Sequence, residues 1–169
     1  MLNRPSPYDS LKSVPALTLT SDDLTDGGKL PAVCAFASGN RSPQLSWSGG
    51  PNGTRSYAVT CYDPDAPTVS GFWHWLVTGI PASTTSLPAE AGKAGAIPGA
   101  LYGPSDYGSH EYGGAAPPPG DGPHRYFFAV SALDTDDLGL DANASAAVTS
   151  FSIEAHTIAR GVVMATYEL

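Results

Sequence analysis

The hydrophobic positions of the chain fall mostly into short runs with the period of a β-strand. Two runs alternate between apolar and polar side chains, which is typical of strands that bury one face. Three longer runs are rich in aromatic and β-branched residues and predict buried strands, and an apolar run near the end predicts one more. The predicted strands span residues 16–20, 43–47, 55–62, 72–80, 125–133 and 162–167. The pattern indicates a mostly β protein.

One segment near the end of the chain has helical spacing instead. Four apolar residues recur there at the interval of one helix face: Val148, Phe151, Ala155 and Ile158. The predicted helix lies within residues 143–160, and Asp141 or Asn143 is its candidate N-cap. Gly161 is expected to end it before the last strand.

Residues 81–123 form a Gly, Pro, Ser and Ala-rich segment with little periodicity. It is far longer than a usual connection, and long ordered loops often carry function or shield a site. The whole chain, residues 1–169, has the length of a single domain, with residues 1–15 as a peripheral arm.

The composition narrows the range of partners. The formal net charge of −8 repels phosphate backbones and anionic lipid surfaces, so nucleic acid is not an expected partner. No stretch approaches the twenty apolar residues of a membrane span, and the first residues lack the apolar core of a secretory signal. We therefore expect a cytoplasmic protein without stable membrane association.

The candidate chemistry is concentrated where the buried strands begin and end. Residues 63–67 read Asp-Pro-Asp-Ala-Pro, and His74 follows among aromatic residues. A proline-rich run at 117–123 precedes His124 and Tyr126. Strand alternation places Phe72, His74 and Leu76 on one face, and His124, Tyr126 and Phe128 on one face. The two histidines are therefore predicted to face each other across a sheet.

A carboxylate beside an imidazole can fix its tautomer and leave the other ring nitrogen for a ligand. Asp63 or Asp65 is the natural partner, and a phosphate-like anion suits two histidines with Tyr126. Affinities of about millimolar to micromolar are expected from such bonds. The simpler interpretations stay open: each histidine as a satisfied core residue, and residues 63–67 as a proline-fixed turn.

The sequence predicts no metal site and no cofactor, since it contains no recognised short spacing of metal ligands. It also contains no Gly-x-Ser-x-Gly motif for a nucleophile. General acid–base chemistry by Asp63, His74 and His124 remains an alternative, as in an isomerase, cyclase or hydrolase.

Four segments, residues 61–67, 72–77, 112–120 and 123–126, resemble motifs of the phosphatidylethanolamine-binding protein (PEBP) family. Its bacterial branch is called Raf kinase inhibitor-like, and the resemblance extends over residues 17–167. It implies an antiparallel β-sandwich-like fold with peripheral helices and a small anion pocket.

The resemblance also implies which residues form that pocket. The matching positions are Asp63, Asp65, Pro67, His74, Gly114, Pro117, Pro118, His124 and Tyr126. It suggests a kinase or another phosphorylated protein as a partner. It also suggests a homodimer, which is common among bacterial relatives. The leading hypothesis is a small-anion-binding protein without catalytic activity.

Overall fold

Two β-sheets form the framework of the computed structural model, which describes residues 4–169. The larger sheet has the strand order β2-β9-β8-β4-β5-β7, and the smaller one has the order β1-β3-β6. Neighbouring strands are antiparallel except for β2 and β9, which are parallel. The strands are β1 Thr18–Thr20, β2 Gly28–Lys29, β3 Leu45–Ser48, β4 Ser56–Asp63, β5 Phe72–Pro81, β6 Ser86–Leu87, β7 Leu101–Tyr102, β8 His124–Leu133 and β9 Thr157–Tyr167. The prediction of a mostly β fold is confirmed.

The main core lies between the two sheets. Trp47 of β3 meets the ring of Tyr57 of β4 edge-on, with 5.3 Å between ring centroids. Alternate residues of the central strands, such as Val59 on β4 and Val130 on β8, are fully buried in the same cluster. This apolar layer stabilises the sandwich because it removes one face of each sheet from water.

The outer face of the large sheet is covered by the helix that precedes β9 and by the N-terminal arm. Helix α1, Ala146–His156, packs Ile153 against Ala58 and Leu133. The N-terminal arm, as far as it is described, contains a 3₁₀ turn at Pro7–Ser10 and places Tyr8 beside Phe127. Residues 1–3 of the predicted arm lie outside the described part of the chain.

The details of the helix prediction were wrong. Ser145 is the N-cap, and its hydroxyl accepts a hydrogen bond from the Val148 amide at 3.2 Å. The buried face carries Ala146, Thr149 and Ile153, whereas Val148 and Phe151 are 51% and 78% exposed. The apolar spacing therefore predicted a helix in the right part of the chain. Two of the apolar residues that it used, Val148 and Phe151, lie on the exposed face of that helix.

Gly161 does not end the helix, because the chain has already become a strand at Thr157. Residues from Thr157 onward pair with β8, and Gly161 lies opposite Val130. A Cβ atom at position 161 would lie 2.9 Å from the Leu19 side chain. Glycine is needed there because β1 passes close to β9.

Residues 81–123 contain two strands that the sequence did not reveal. Strand β6 completes the small sheet, and β7 pairs with β5 at the edge of the large sheet. Each has only two residues, which is too short to show a period. The Tyr102 hydroxyl orders the surrounding turns, since it donates to the Ala91 carbonyl and accepts from the Ile97 amide.

Among residues 4–169, no helix is both long and apolar enough to cross a membrane.

Candidate functional site

A cavity of about 270 Å³ opens at one end of the large sheet, where β4 ends and β5 and β8 begin. Its walls come from these strand ends and from two loops. The lining residues are Asp63, Ala66, Pro67, Thr68, Phe72, His74, Tyr107, Ala116, Pro117, Pro118, His124 and Tyr126. Seven of the nine residues singled out from the sequence line this cavity, and the other two, Asp65 and Gly114, lie outside its lining.

Asp63 and His124 form a buried pair in the wall of the cavity. The His124 Nδ1 and Asp63 Oδ2 atoms are 2.8 Å apart. The other oxygen of Asp63 accepts hydrogen bonds from the amides of Asp65 and Ala66, at 2.8 and 3.1 Å. Because a carboxylate only accepts, Nδ1 carries a proton, and Nε2 is the ring nitrogen left for other partners.

A β-bulge positions His74. Tyr62 pairs with Trp73 and Cys61 pairs with Trp75, so His74 is an extra residue on β5. The bulge turns His74 into the cavity and places Trp75, rather than Leu76, in the core between the sheets. The prediction that His74 and Leu76 share a face was wrong, because it assumed unbroken alternation.

His74 is held as a neutral ring. Its Nδ1 lies 2.7 Å from the Gly113 carbonyl oxygen, which can only accept, so Nδ1–H donates. Burial lowers the pKa of His74 below its ordinary value of 6.5 and outweighs the opposing effects of that hydrogen bond and of Asp63. Nε2 is then an unprotonated acceptor.

Two buried polar atoms of residues that line the cavity have no hydrogen-bond partner among the described residues. They are His74 Nε2 and the Tyr126 hydroxyl, and their rings lie edge to face with centroids 5.2 Å apart. Burial also raises the pKa of Tyr126, which keeps its hydroxyl protonated. An unpaired buried polar group costs about 1 to 3 kcal/mol, so this pair calls for a functional explanation.

Asp65 is bound to Arg125 instead of lining the cavity. Its carboxylate accepts from Arg125 Nε at 2.7 Å and from Nη2 at 2.9 Å. Burial acts to raise the pKa of Asp65, but the hydrogen bonds and charge of Arg125 outweigh it and lower that pKa. Arg125 Nη1 also donates to the carbonyls of Arg4 and Pro5. Asp65 thus ties the loop after β4 to β8 and to the N-terminal arm.

Gly114 supports the wall of the cavity from behind. A Cβ atom there would lie 2.3 Å from the Cys34 carbonyl oxygen, so only glycine fits. Its amide donates to Asn40 Oδ1 at 2.7 Å, and its carbonyl accepts from the Tyr107 hydroxyl at 2.9 Å.

Sequence reasoning did not single out Tyr107 or Asp121. The Tyr107 ring packs against Phe72 and His74, with centroids 4.8 and 5.6 Å away, and burial raises its pKa to about 12. Tyr107 lies in an aperiodic loop, so no sequence signal marked it. Asp121 Oδ2 lies 3.6 Å from His124 Nε2, and its side chain is 43% exposed. The spacing of three residues from His124 was the available signal for Asp121.

The cavity does not have the donor set of a metal site. Within residues 4–169, no three His, Cys, Asp or Glu side chains are grouped closely enough to hold a metal ion. The cavity is lined by an Asp-oriented histidine, by a second histidine and a tyrosine whose buried polar atoms have no partner among the described residues, and by aromatic rings and prolines.

Comparison with known proteins identifies the family. The model of the phosphatidylethanolamine-binding protein family matches residues 20–168, and the chain belongs to this family. It is 44% identical over 162 residues to the Escherichia coli protein YbcL, which covers 91% of this chain and 88% of YbcL. It is also 44% identical over 158 residues to YbhB of the same organism, covering 89% of this chain and 99% of YbhB.

Solved structures agree with this assignment. The crystal structure of E. coli YbcL, described as a new member of the mammalian PEBP family, matches with a TM-score of 0.87 and 43% identity, over 90% of this chain and 98% of that one. A PEBP homologue from Chlamydia trachomatis matches with a TM-score of 0.79 and 28% identity, over 91% and 98% of the two chains.

Proposed function

We propose that this protein binds a small phosphate-like anion in the cavity described above. The observation that carries the proposal is the buried pair of His124 and Asp63. Asp63 is itself fixed by two amides, so it holds the His124 ring with Nε2 available to a ligand. A protonated His124 can donate from Nε2 to an anion while Nδ1 donates to Asp63.

The other polar groups of the cavity support the same ligand class. The Tyr126 hydroxyl is a buried donor without a partner among residues 4–169, and an anion oxygen that reached it would satisfy it. The net charge of −8 and the nearby Asp121 carboxylate oppose anion binding. We therefore expect modest affinity, about millimolar to micromolar.

The test is a calorimetric titration with inorganic phosphate and with phosphoethanolamine at low salt. His124→Asn keeps an amide donor near the Nδ1 position and removes Nε2, so it separates ligand binding from the contact with Asp63. We expect saturable binding to the unaltered protein and at least about tenfold weaker binding to this variant.

His156→Asn is the matched control, since His156 forms a surface pair with Asp134 at 2.7 Å. It should bind as the unaltered protein does. Absence of binding to the unaltered protein, or equal binding by His124→Asn with an unchanged unfolding midpoint, would refute the proposal.

An enzyme is the second candidate, and the geometry that favours it is the same Asp–His pair. A neutral His124 oriented by Asp63 has the arrangement of a general base. Turnover of an enolisable or ester substrate that is lost in Asp63→Asn would support an isomerase, cyclase or hydrolase. A screen without turnover would leave the binding function as the only candidate.

The proposal also includes a cytoplasmic location and a phosphorylated protein or kinase as partner. A partner that docks through the anion cavity should be released by free phosphate. Pull-down with and without competing phosphate distinguishes docking in the cavity from docking elsewhere, and sedimentation of the same sample tests for a homodimer.

A further inference from the structure

A second cavity, of about 170 Å³, lies on the outer face of the large sheet, between the N-terminal arm and α1. The arm contributes Tyr8 and Leu11 to its lining, and α1 contributes Ser150 and Glu154. Strands β4, β5 and β8 complete it. We refer to it as the outer cavity, and to the cavity around the pair of His124 and Asp63 as the inner cavity. No described residue lines both, so the two cavities are separate.

Strand alternation places the two cavities on opposite faces of the same strands. On β4, Tyr62 lines the outer cavity and the next residue, Asp63, lines the inner one. On β5, Trp73 lines the outer cavity, whereas its neighbours Phe72 and His74 line the inner one. Tyr62 and Trp73 are cross-strand partners with ring centroids 4.5 Å apart. Together they form an aromatic patch in the lining of the outer cavity.

Glu154 is the one charged side chain among the described lining residues of the outer cavity. Its Oε2 accepts a hydrogen bond from Arg160, and no other described residue donates to this carboxylate. The side chain is 22% exposed, so it is accessible from the cavity. Burial raises the pKa of Glu154 and outweighs the opposing effects of Arg160 and Lys12. The carboxylate therefore has an oxygen to offer to a further donor, and more positive charge beside it would be favourable.

The groups of the outer cavity fit a ligand that is positively charged. Aromatic ring faces attract a cation, and a carboxylate accepts strong hydrogen bonds from an ammonium group. The protein already shows this chemistry at the same wall, because the guanidinium of Arg160 lies 5.4 Å from the ring centroid of Tyr8. The net charge of −8 attracts cations over a longer range. An anion would instead meet the like charge of Glu154.

We propose that the outer cavity binds a small organic cation, an alkylammonium that donates to Glu154 and lays its alkyl part against Tyr62 and Trp73. This site does not depend on the anion-binding function proposed above. The positive charge of Arg160 opposes the ligand, so the expected affinity is about millimolar.

The first test follows tryptophan fluorescence during titration with n-butylammonium chloride at about pH 7.5 and constant ionic strength. Trp73 lines the outer cavity, whereas Trp47 and Trp75 are buried in the core at 4% and 1% exposure. We expect a saturable change that is lost in Trp73→Phe. 1-Butanol has the same alkyl chain without the charge and should bind at least about tenfold more weakly. Equal affinities of the two probes would show that the cavity selects for apolar bulk alone and would overturn the proposal.

Glu154→Gln supplies the matched variant, because it keeps the size of the side chain and removes its charge. We expect it to bind n-butylammonium at least about tenfold more weakly and to bind 1-butanol as the unaltered protein does. Glu168→Gln removes the same charge from an exposed position outside the outer cavity and should leave both affinities unchanged. Equal binding of n-butylammonium by Glu154→Gln, with an unchanged unfolding midpoint, would refute the proposal. If loss of the contact with Arg160 unfolds this variant, the two probes on the unaltered protein still decide.

The last test separates the outer cavity from the inner one. The n-butylammonium titration is repeated with inorganic phosphate in excess, and the affinity should not change. Competition between the two ions, or a fluorescence change that persists in Trp73→Phe, would place the ammonium elsewhere and overturn the inference. Failure of phosphate to bind would refute only the function proposed for the inner cavity, since the comparison with 1-butanol does not use phosphate.

Discussion

Two histidine–aspartate pairs in this protein have almost the same contact distance and very different surroundings. His124 and Asp63 are 2.8 Å apart, with side chains 2% and 4% exposed. His156 and Asp134 are 2.7 Å apart, with side chains 44% and 53% exposed. The distance alone does not distinguish them, so burial and the other bonds of each aspartate must decide what each pair does.

The surface pair joins two elements. His156 is the last residue of α1, where a positive charge is favourable, and its carbonyl accepts from the Asp134 amide at 3.1 Å. The buried pair instead occupies the cavity wall, and Asp63 already satisfies two loop amides. Solvent screens the surface pair, whereas the buried pair holds the His124 ring in one orientation in the cavity wall.

The largest expected difference between the pairs is in stability. Asp63→Ala removes the acceptor of two amides and of His124 Nδ1–H, and should lower the free energy of unfolding by about 3 kcal/mol. Asp134→Ala should lower it by less than about 1 kcal/mol. Urea denaturation of both variants measures the contrast, and equal losses would show that burial does not separate the two pairs.

A third histidine sharpens the comparison through pH. His74 has a carbonyl partner instead of a carboxylate, and burial lowers its pKa in the folded state. The unfolded state then binds more protons below about pH 6.5, so the stability due to this group is present above that pH and is lost as the pH falls.

The expected slope is up to about 1.4 kcal/mol for each pH unit below about 6.5. His74→Gln should lose this part of the slope, which urea denaturation at about pH 7.5 and about pH 5.5 would detect. The lowered pKa of Asp65 acts only below its ordinary value of 3.8, outside this window. An unchanged slope in the variant would contradict the account of His74.

The smallest expected effect is on phosphate affinity, and it concerns Asp121, whose carboxylate lies beside the buried pair of His124 and Asp63. Asp121 lies 3.6 Å from His124 Nε2, near where an anion would bind. Asp121→Asn should strengthen phosphate binding by about 1 kcal/mol, or about fivefold, because it removes a like charge. Asp22→Asn removes the same charge from an exposed position outside the cavity lining and should change affinity less. Equal effects would indicate a long-range origin.

The parts of the fold that could be predicted from sequence are those with a long, regular pattern. Strands β4, β5 and β8 have eight to ten residues each, and their apolar character was visible. The turn at residues 63–67 and the histidines were recognisable because charged and imidazole groups stood beside buried runs. The two-residue strands β6 and β7 depend on pairing with partners far along the chain, so no local pattern marked them.

The partners of the site residues were not accessible in the same way. Asp63 and Asp65 are two residues apart, and the sequence did not show that one binds His124 while the other binds Arg125. Which aspartate binds which partner depends on the turn after β4 and on the faces of β8 that His124 and Arg125 occupy. The orientation of His74 depends on a bulge, which pattern reasoning treats as an ordinary strand position.

That bulge has a consequence for how the protein tolerates change. The residues on either side of His74 form the register with β4, so position 74 contributes its side chain to the cavity without carrying a cross-strand pair. Substitutions at this position are expected to change the lining of the cavity, while substitutions at Trp73 or Trp75 are expected to disturb the pairing of β5 with β4. The cavity lining can therefore vary at one position of β5 while the sheet keeps its alignment.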